Sequence, residues 1–242
     1  QVSRRLRDLR NGFQMPFRIT PKLFMDFATH PRWSLATLWQ GVPKPINFKP
    51  TSGNEQFDHN ASRAGANWEF LKQLRDLWKG TLVIKGVTSA QDALRIQRAG
   101  ADAIYVSNHG GRQLDSAPAA IDVLPKIRQA VGSDYPLLFD SGVRNGADVV
   151  KALAMGADFV MLGRPFMFAL GAEGARGLNS LIRTLGEDVS LTLAQTGLAN
   201  INDVSHSMLV DCPPELIQAS LTSIQNATHQ NQPLSTEKGW FL

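Results

Sequence analysis

From Asn67 onward, short apolar runs alternate with longer stretches in which apolar residues recur at helical spacing. The runs are Leu82-Val83-Ile84, Ala103-Ile104-Tyr105-Val106, Leu137-Leu138-Phe139 and Phe159-Val160-Met161-Leu162. Each has the length and β-branched or aromatic content of a buried strand. Trp68, Leu71, Leu74, Leu77 and Trp78 predict a helix before the first run. Ser89 caps the next, in which Ala93, Leu94, Ile96 and Ala99 are apolar and which Gly100 ends. Ile121, Leu124, Ile127 and Val131 mark a third, closed by Gly132, and Ala147, Val149, Val150, Leu153 and Ala154 a fourth, stopped by Gly156. A longer helical region is expected from about Pro165 to Thr196, with breaks near Gly171–Gly177 and at Gly186.

Strand and helix alternate at a spacing of roughly 25 residues, the pattern of parallel strands joined by right-handed helical crossovers. Ala-Gly-Ala-Asp at 99–102 returns as Met-Gly-Ala-Asp at 155–158, each time between a helix and the next strand. The commonest architecture that repeats this unit is the TIM (β/α)8 barrel. The chain holds four such units, so the expected fold is α/β and about half of such a barrel. The expected divisions are 1–66, an arginine-rich segment and a long loop; 67–200, the half-barrel; and 201–242, an extension whose last dozen residues form a mobile tail.

The segment before the repeat reads differently. Phe13, Pro16, Phe17, Pro21, Phe24, Phe27, Pro31, Trp33, Trp39, Pro43, Pro45 and Phe48 make it aromatic and proline-rich. Short helices are expected at Pro21–Thr29 and Pro31–Gln40, each opening on Pro. A connection this long is usually functional or mobile. It would either pack over the domain's own core or enter a membrane interface. Residues 50–66, rich in Ser, Gly, Asn and Asp, continue it flexibly.

Over 242 residues, 43% hydrophobic and 19% charged content describe a foldable chain rather than a disordered one. The net charge of +4 is concentrated in Arg4, Arg5, Arg7, Arg10 and Arg18, too few for a nucleic-acid partner to be expected. The single cysteine excludes an internal disulfide and a cysteine-only metal site, and no metal ligand set is expected. No apolar run approaches the roughly 20 residues of a membrane span. The chain opens on Gln1 within an arginine-rich stretch, as the start of a fragment would.

Candidate chemistry gathers where the strands end. Ser107-Asn108-His109-Gly110-Gly111-Arg112 leaves the second strand. A histidine moves protons near neutral pH, and an arginine grips a carboxylate through two parallel hydrogen bonds. The pair suits an organic acid that is gripped and deprotonated. Lys85 ends the first strand, where burial and an electron-rich partner are expected. Asp140-Ser141-Gly142-Val143-Arg144 and Gly163-Arg164 end the third and fourth strands. Two glycine turns with arginines, each opening a helix, suit a phosphate, and barrels often bind one between their last two strands. No dinucleotide fingerprint or Walker A lysine is present.

These residues resemble the FMN-dependent 2-hydroxy-acid oxidoreductases. The segments are Val83-Ile84-Lys85-Gly86, Ser107 to Asp115, Asp140 to Gly146 and Leu162-Gly163-Arg164. His30-Pro31-Arg32-Trp33-Ser34, Trp68-Glu69 and Leu74-Arg75-Asp76-Leu77-Trp78 are similar to the membrane-associated bacterial L-lactate and mandelate dehydrogenases. The resemblance runs from Arg4 to about Gly197 and implies the C-terminal half of the family's barrel. It implies FMN as cofactor, oxidation of an (S)-2-hydroxy acid to the 2-oxo acid, and electron transfer to a quinone. His109 would be the base and would touch the substrate; Arg112 and Arg5 would bind its carboxylate. Lys85 would lie by flavin N1 and O2, Ser107 against the flavin and Asp140 on the ribityl chain. Ser141, Gly142, Arg144, Gly163 and Arg164 would complete the cofactor site, the arginines at the phosphate. It also implies a homo-oligomer, a tetramer, held peripherally on the cytoplasmic face of the inner membrane through residues 13–50. Leu6 stands at the family's usual glutamate, and neither Tyr105 nor Tyr135 matches its substrate tyrosines. The two other readings are a non-catalytic half-barrel that binds FMN or phosphate and an FMN-dependent isomerase of the same fold.

Overall fold

The computed structural model describes residues 19–41 and 66–218, and the chain divides into two units after Ala66. The arginine-rich start with Arg5, all but the last residue of the 50–66 stretch and most of the 201–242 extension lie outside the described residues.

In the first unit, α1 (Pro21–Thr29) and α2 (Pro31–Gln40) form where the prolines placed them. Thr20 caps α1 by accepting from the Leu23 amide at 3.3 Å. Ser34 donates to the Phe27 carbonyl at 2.8 Å, and the Phe27 and Trp33 rings pack at 5.5 Å. No side chain of either helix is buried.

The second unit opens with α3 (Trp68–Leu77) and alternates from there: β1 (Val83–Val87), α4 (Ala90–Arg98), β2 (Ala103–Val106), α5 (Ala120–Val131), β3 (Leu137–Phe139), α6 (Gly146–Ala154) and β4 (Phe159–Val160), followed by α7 (Arg164–Glu173) and α8 (Ala175–Gln195). The strands form one sheet in the order β1-β2-β3-β4, every pair parallel. Side-chain caps start three of the helices: Asn67 for α3, Ser89 for α4 and Asn145 for α6. The helical region after β4 breaks at Gly174, as expected, but runs through Gly186 without interruption. A mid-helix glycine costs only about 1 kcal/mol relative to alanine, and packing elsewhere along α8 outweighs that. β4 is also two residues shorter than its apolar run.

Because strand side chains alternate, the sheet has two unlike faces. Ile104, Val106, Leu137 and Phe139 point to the helices and are almost wholly buried with Ala93, Ile96, Leu124 and Ile127. Burying each of the larger ones contributes roughly 1.5–3 kcal/mol. Register sets Lys85, Tyr105, Leu138 and Phe159 in one row on the opposite face. That face is open among the described residues: Phe159 is 59% exposed. It is the side that faces inward in a closed barrel.

The repeated Gly-Ala-Asp motif closes the N-terminal ends of the strands. Asp102 accepts from the Leu82 amide at 2.7 Å and from Arg75 of α3 at 2.9 Å. One repeat later, Asp158 accepts from the Leu137 amide at 2.8 Å and from Arg128 of α5 at 2.5 Å. Each arginine also collects backbone carbonyls from the connection after its own helix, Trp78 and Gly80 for Arg75 and Gly132, Ser133 and Tyr135 for Arg128, and one from the glycine that closes the following helix, Gly100 and Gly156 respectively. These are acceptors a helix end leaves without partners. Arg128 is buried and Asp158 about half exposed, so the pair keeps a path to water.

Candidate active site

At the other end of the strands the backbone is irregular and polar. The register of β1 and β2 shifts between Lys85 and Val87, at Gly86. Gly86 has φ +94°, and a Cβ there would lie 2.8 Å from His109 Nε2. Glycine at 86 therefore lets the imidazole lie against the backbone near the end of β1, one residue along the chain from Lys85.

Lys85 Nζ pairs with Asp140 Oδ2 at 2.5 Å and sits 3.5 Å from the centre of the Tyr105 ring. Burial alone would raise the Asp140 pKa, but donors from Lys85, Ser107, Ser141 and Tyr105 outweigh it and hold the carboxyl below its ordinary value. Burial and the adjacent Asp140 carboxylate push the Tyr105 phenol well above its own. The three strand ends thus hold a charged Lys85–Asp140 pair beside a neutral phenol. Lys85 is more open than the sequence implied, with 41% of its side chain exposed, because it belongs to the open face of the sheet.

The histidine loop is built by its own small side chains. Ser107 is fully buried and its Oγ accepts from the His109 amide at 3.0 Å. Asn108 Oδ1 accepts from the Gly111 amide at 2.9 Å, while its Nδ2 donates to the Pro118 carbonyl at 3.0 Å. Ser141, from the end of β3, reaches across: its Oγ accepts from the Asn108 and Gly110 amides at 3.2 and 3.1 Å and donates to Asp140 at 2.8 Å. His109 and Ser141 both adopt positive φ, at +57° and +88°, conformations uncommon for residues with a side chain and typical of functional sites. His109 is left exposed, and Arg112 follows it at the close of a 3-10 turn.

The phosphate side differs from expectation at one of its two loops. The amides at the start of α6 already have internal acceptors: Arg144 N donates to Asp148 at 2.9 Å, Gly146 N to Asp188 at 2.5 Å and Asp148 N to Asn145 at 2.8 Å. That helix N-terminus offers an anion fewer free donors than its position after a glycine turn suggested. The start of α7 has no side-chain cap, so its first-turn amides suit an anion. The Arg164 guanidinium reaches the histidine loop, 3.1 Å from where a Cβ on Gly110 would sit. Arg144 is exposed. Among the described residues, nothing lies within 4 Å of where side chains would begin at Gly142 and Gly163, which leaves room for a ligand at both turns.

Lys85, Ser107, His109, Asp140, Ser141 and Arg164 are thus joined by direct contacts or through a shared glycine. Arg112, Gly142, Arg144 and Gly163 lie on the same loops. Two contributors were missed by sequence reasoning. Asn108 carries the standard side chain for an Asx turn, a signal that was readable. Tyr105 could be found only from the register of β1 against β2.

A phosphorylated, electron-accepting ring fits these donors: a cation at one end, a carboxylate for hydroxyls, open glycine turns and an uncapped helix with an arginine at the other. The comparisons agree with this chemistry. The family model described as FMN-dependent dehydrogenase matches residues 1–211. The chain is 43% identical over 210 residues to (S)-mandelate dehydrogenase of Pseudomonas putida, covering 85% of this chain and 53% of that protein. It is 37% identical over 218 residues to L-lactate dehydrogenase of Acinetobacter baylyi, covering 86% and 56%. The chain spans about half the length of the curated relatives it matches. Among solved structures it superposes on the monotopic membrane protein (S)-mandelate dehydrogenase with a TM-score of 0.75 at 40% identity, covering 84% of this chain and 55% of that one. A soluble mutant of the membrane-associated Pseudomonas putida enzyme gives a TM-score of 0.61 at 38% identity, covering 84% and 52%.

Proposed function

From the premise that this chain belongs to the FMN-dependent dehydrogenase family, a family of (β/α)8 barrel enzymes whose cofactor is FMN, we propose that it carries the residues that oxidise a small (S)-2-hydroxy acid, such as lactate or mandelate, to the 2-oxo acid. FMN, when bound, supplies the two-electron acceptor for the substrate's α carbon. His109 takes the proton released from the substrate, at the hydroxyl or the α position. Arg112 grips the substrate carboxylate, three residues beyond the base on the same loop. Lys85 would hold its ammonium toward the ring edge on which reduction adds negative charge. Asp140 would bind the ribityl hydroxyls, and Ser107, buried behind the histidine loop, would back the ring. Gly163 and the α7 amides, with Arg164 and Arg144, hold the phosphate, and Ser141 and Gly142 line the turn between.

The observation that carries this reading is the placement of His109 against Gly86, one residue from Lys85. It supports the reading of His109 as base and Lys85 as flavin-edge cation, because both belong to the C-terminal ends of adjacent parallel strands. Adding L-lactate or (S)-mandelate anaerobically to the FMN-loaded protein should bleach the flavin absorbance. The bleaching should vanish in His109→Asn with FMN still bound; bleaching that persists in that variant would remove His109 as the base.

The first unit supports a peripheral membrane contact through residues 13–50. On α1 and α2, Phe24, Met25, Trp33, Leu35, Leu38 and Trp39 are all more than half exposed, a composition suited to the lipid interface. No helix among the described residues is long and apolar enough to cross a membrane. Contact of this kind would bring the reduced cofactor to a membrane quinone as electron acceptor. Deleting residues 13–50 should release the protein from vesicles; unchanged partition would contradict the contact.

A further inference from the structure

Lys85 sits on an exposed stretch of strand with four rotatable side-chain bonds, yet it must hold a charge at a fixed place. Its ion pair with Asp140 joins β1 to the end of β3, but an ion pair alone at a partly exposed site fixes little. The second contact is Tyr105. Parallel register puts residue 105 directly beside residue 85 on the same face of the sheet. The ammonium lies 3.5 Å from the ring centre, well inside the roughly 6 Å over which an aromatic face attracts a cation. The row continues to Leu138, which leaves Tyr105 the aromatic neighbour of Lys85 in this register. His109 approaches the next residue of the strand, Gly86.

We propose that Tyr105 is a positioning residue for Lys85: its ring face holds the ammonium over β2 while Asp140 holds it from β3, so that the charge is fixed before any cofactor arrives. The consequence at FMN rests on the placement of Lys85 given under Proposed function, but the contact itself can be tested without cofactor.

The test is the rate at which an amine-specific acylating reagent labels Lys85 in the cofactor-free chain, read by peptide mass mapping. A cation–π contact at an exposed site corresponds to about a two- to five-fold change in an equilibrium constant. Tyr105→Leu and Tyr105→Met should therefore label Lys85 about two- to five-fold faster, with labelling of the other lysines unchanged as the internal control for folding. Tyr105→Phe, which keeps the ring, should label at the wild-type rate. Wild-type rates in both the Leu and Met variants would overturn the proposal. So would a Phe variant as fast as the Leu variant, since the hydroxyl rather than the ring would then act. With FMN bound, Tyr105→Leu should move the flavin midpoint potential in the same negative direction as Lys85→Met, by less. If Lys85→Met leaves the potential unchanged, the flavin placement of Lys85 fails, and with it the role of Tyr105 at the cofactor. If only Tyr105→Leu leaves it unchanged, the positioning role alone fails.

Discussion

The two ends of the same four strands are built on opposite rules. At the N-terminal ends, Asp102 and Asp158 repeat one arrangement: a carboxylate accepts the amide that leads into a strand, and an arginine from the preceding helix gathers the loose carbonyls. Among the described residues, the Leu82 and Leu137 amides and both guanidinium groups have internal acceptors there. At the C-terminal ends the polar groups are open or share partners, two side-chain-bearing residues hold positive φ, and His109, Arg112, Arg144 and Arg164 reach solvent. Satisfaction stabilises the first end. Exposure leaves the second accessible to a ligand. This division is the one a barrel imposes, with stability below and chemistry above.

The contrast can be broken from either side. The largest effect is expected at the upper end: His109→Asn should lower turnover by about 10²–10⁴-fold. Asn also tolerates positive φ, so the urea midpoint should stay within about 0.5 kcal/mol of wild type. A stability loss as large as the activity loss would mean the loop is structural. At the lower end, Arg128→Ala should cost about 1–3 kcal/mol in urea denaturation, because four carbonyls lose their donor and half-exposed Asp158 loses its partner. A cost near zero would show that the latch does not hold the sheet.

Gly86→Ala sharpens the point, since it touches the upper end through geometry alone. Positive φ at 86 and the 2.8 Å approach to His109 Nε2 should cost about 1–2 kcal/mol and displace the imidazole, with kcat reduced more than KM. The smallest effect concerns pH. The Leu82 amide, followed by Arg75, holds Asp102 below its ordinary value of 3.8. Its contribution is complete above that value and is lost as pH falls through the lower folded-state value. Asp102→Asn should therefore reduce the melting temperature at neutral pH and flatten its decline under acid. An unchanged acid slope would place the stabilisation elsewhere.

Much of this was readable in the chain. Strand positions followed from apolar runs bounded by glycine and polar residues, and α1 and α2 began where proline and ended where the pattern predicted. The site's location followed from strand order, because polar residues at several strand ends are brought together by any parallel sheet. What escaped notice depends on partners far along the chain. Asp188, 42 residues from Gly146, occupies an amide that had looked free for phosphate. The Tyr105–Lys85 contact required the register of two strands. Gly186 looked like a helix breaker, but the packing of α8 on α6 and α7 overrides its weak local preference.

The most direct test of the division between the two ends is the melting-temperature increment produced by saturating FMN in wild type, Arg164→Ala and Arg75→Ala. A ligand at about 100 times its Kd stabilises by about 2.7 kcal/mol. Wild type and Arg75→Ala should show equal increments from different starting temperatures, and Arg164→Ala should lose most of its own. A full increment in Arg164→Ala, or its loss in Arg75→Ala, would contradict the assignment of chemistry to one end and stability to the other.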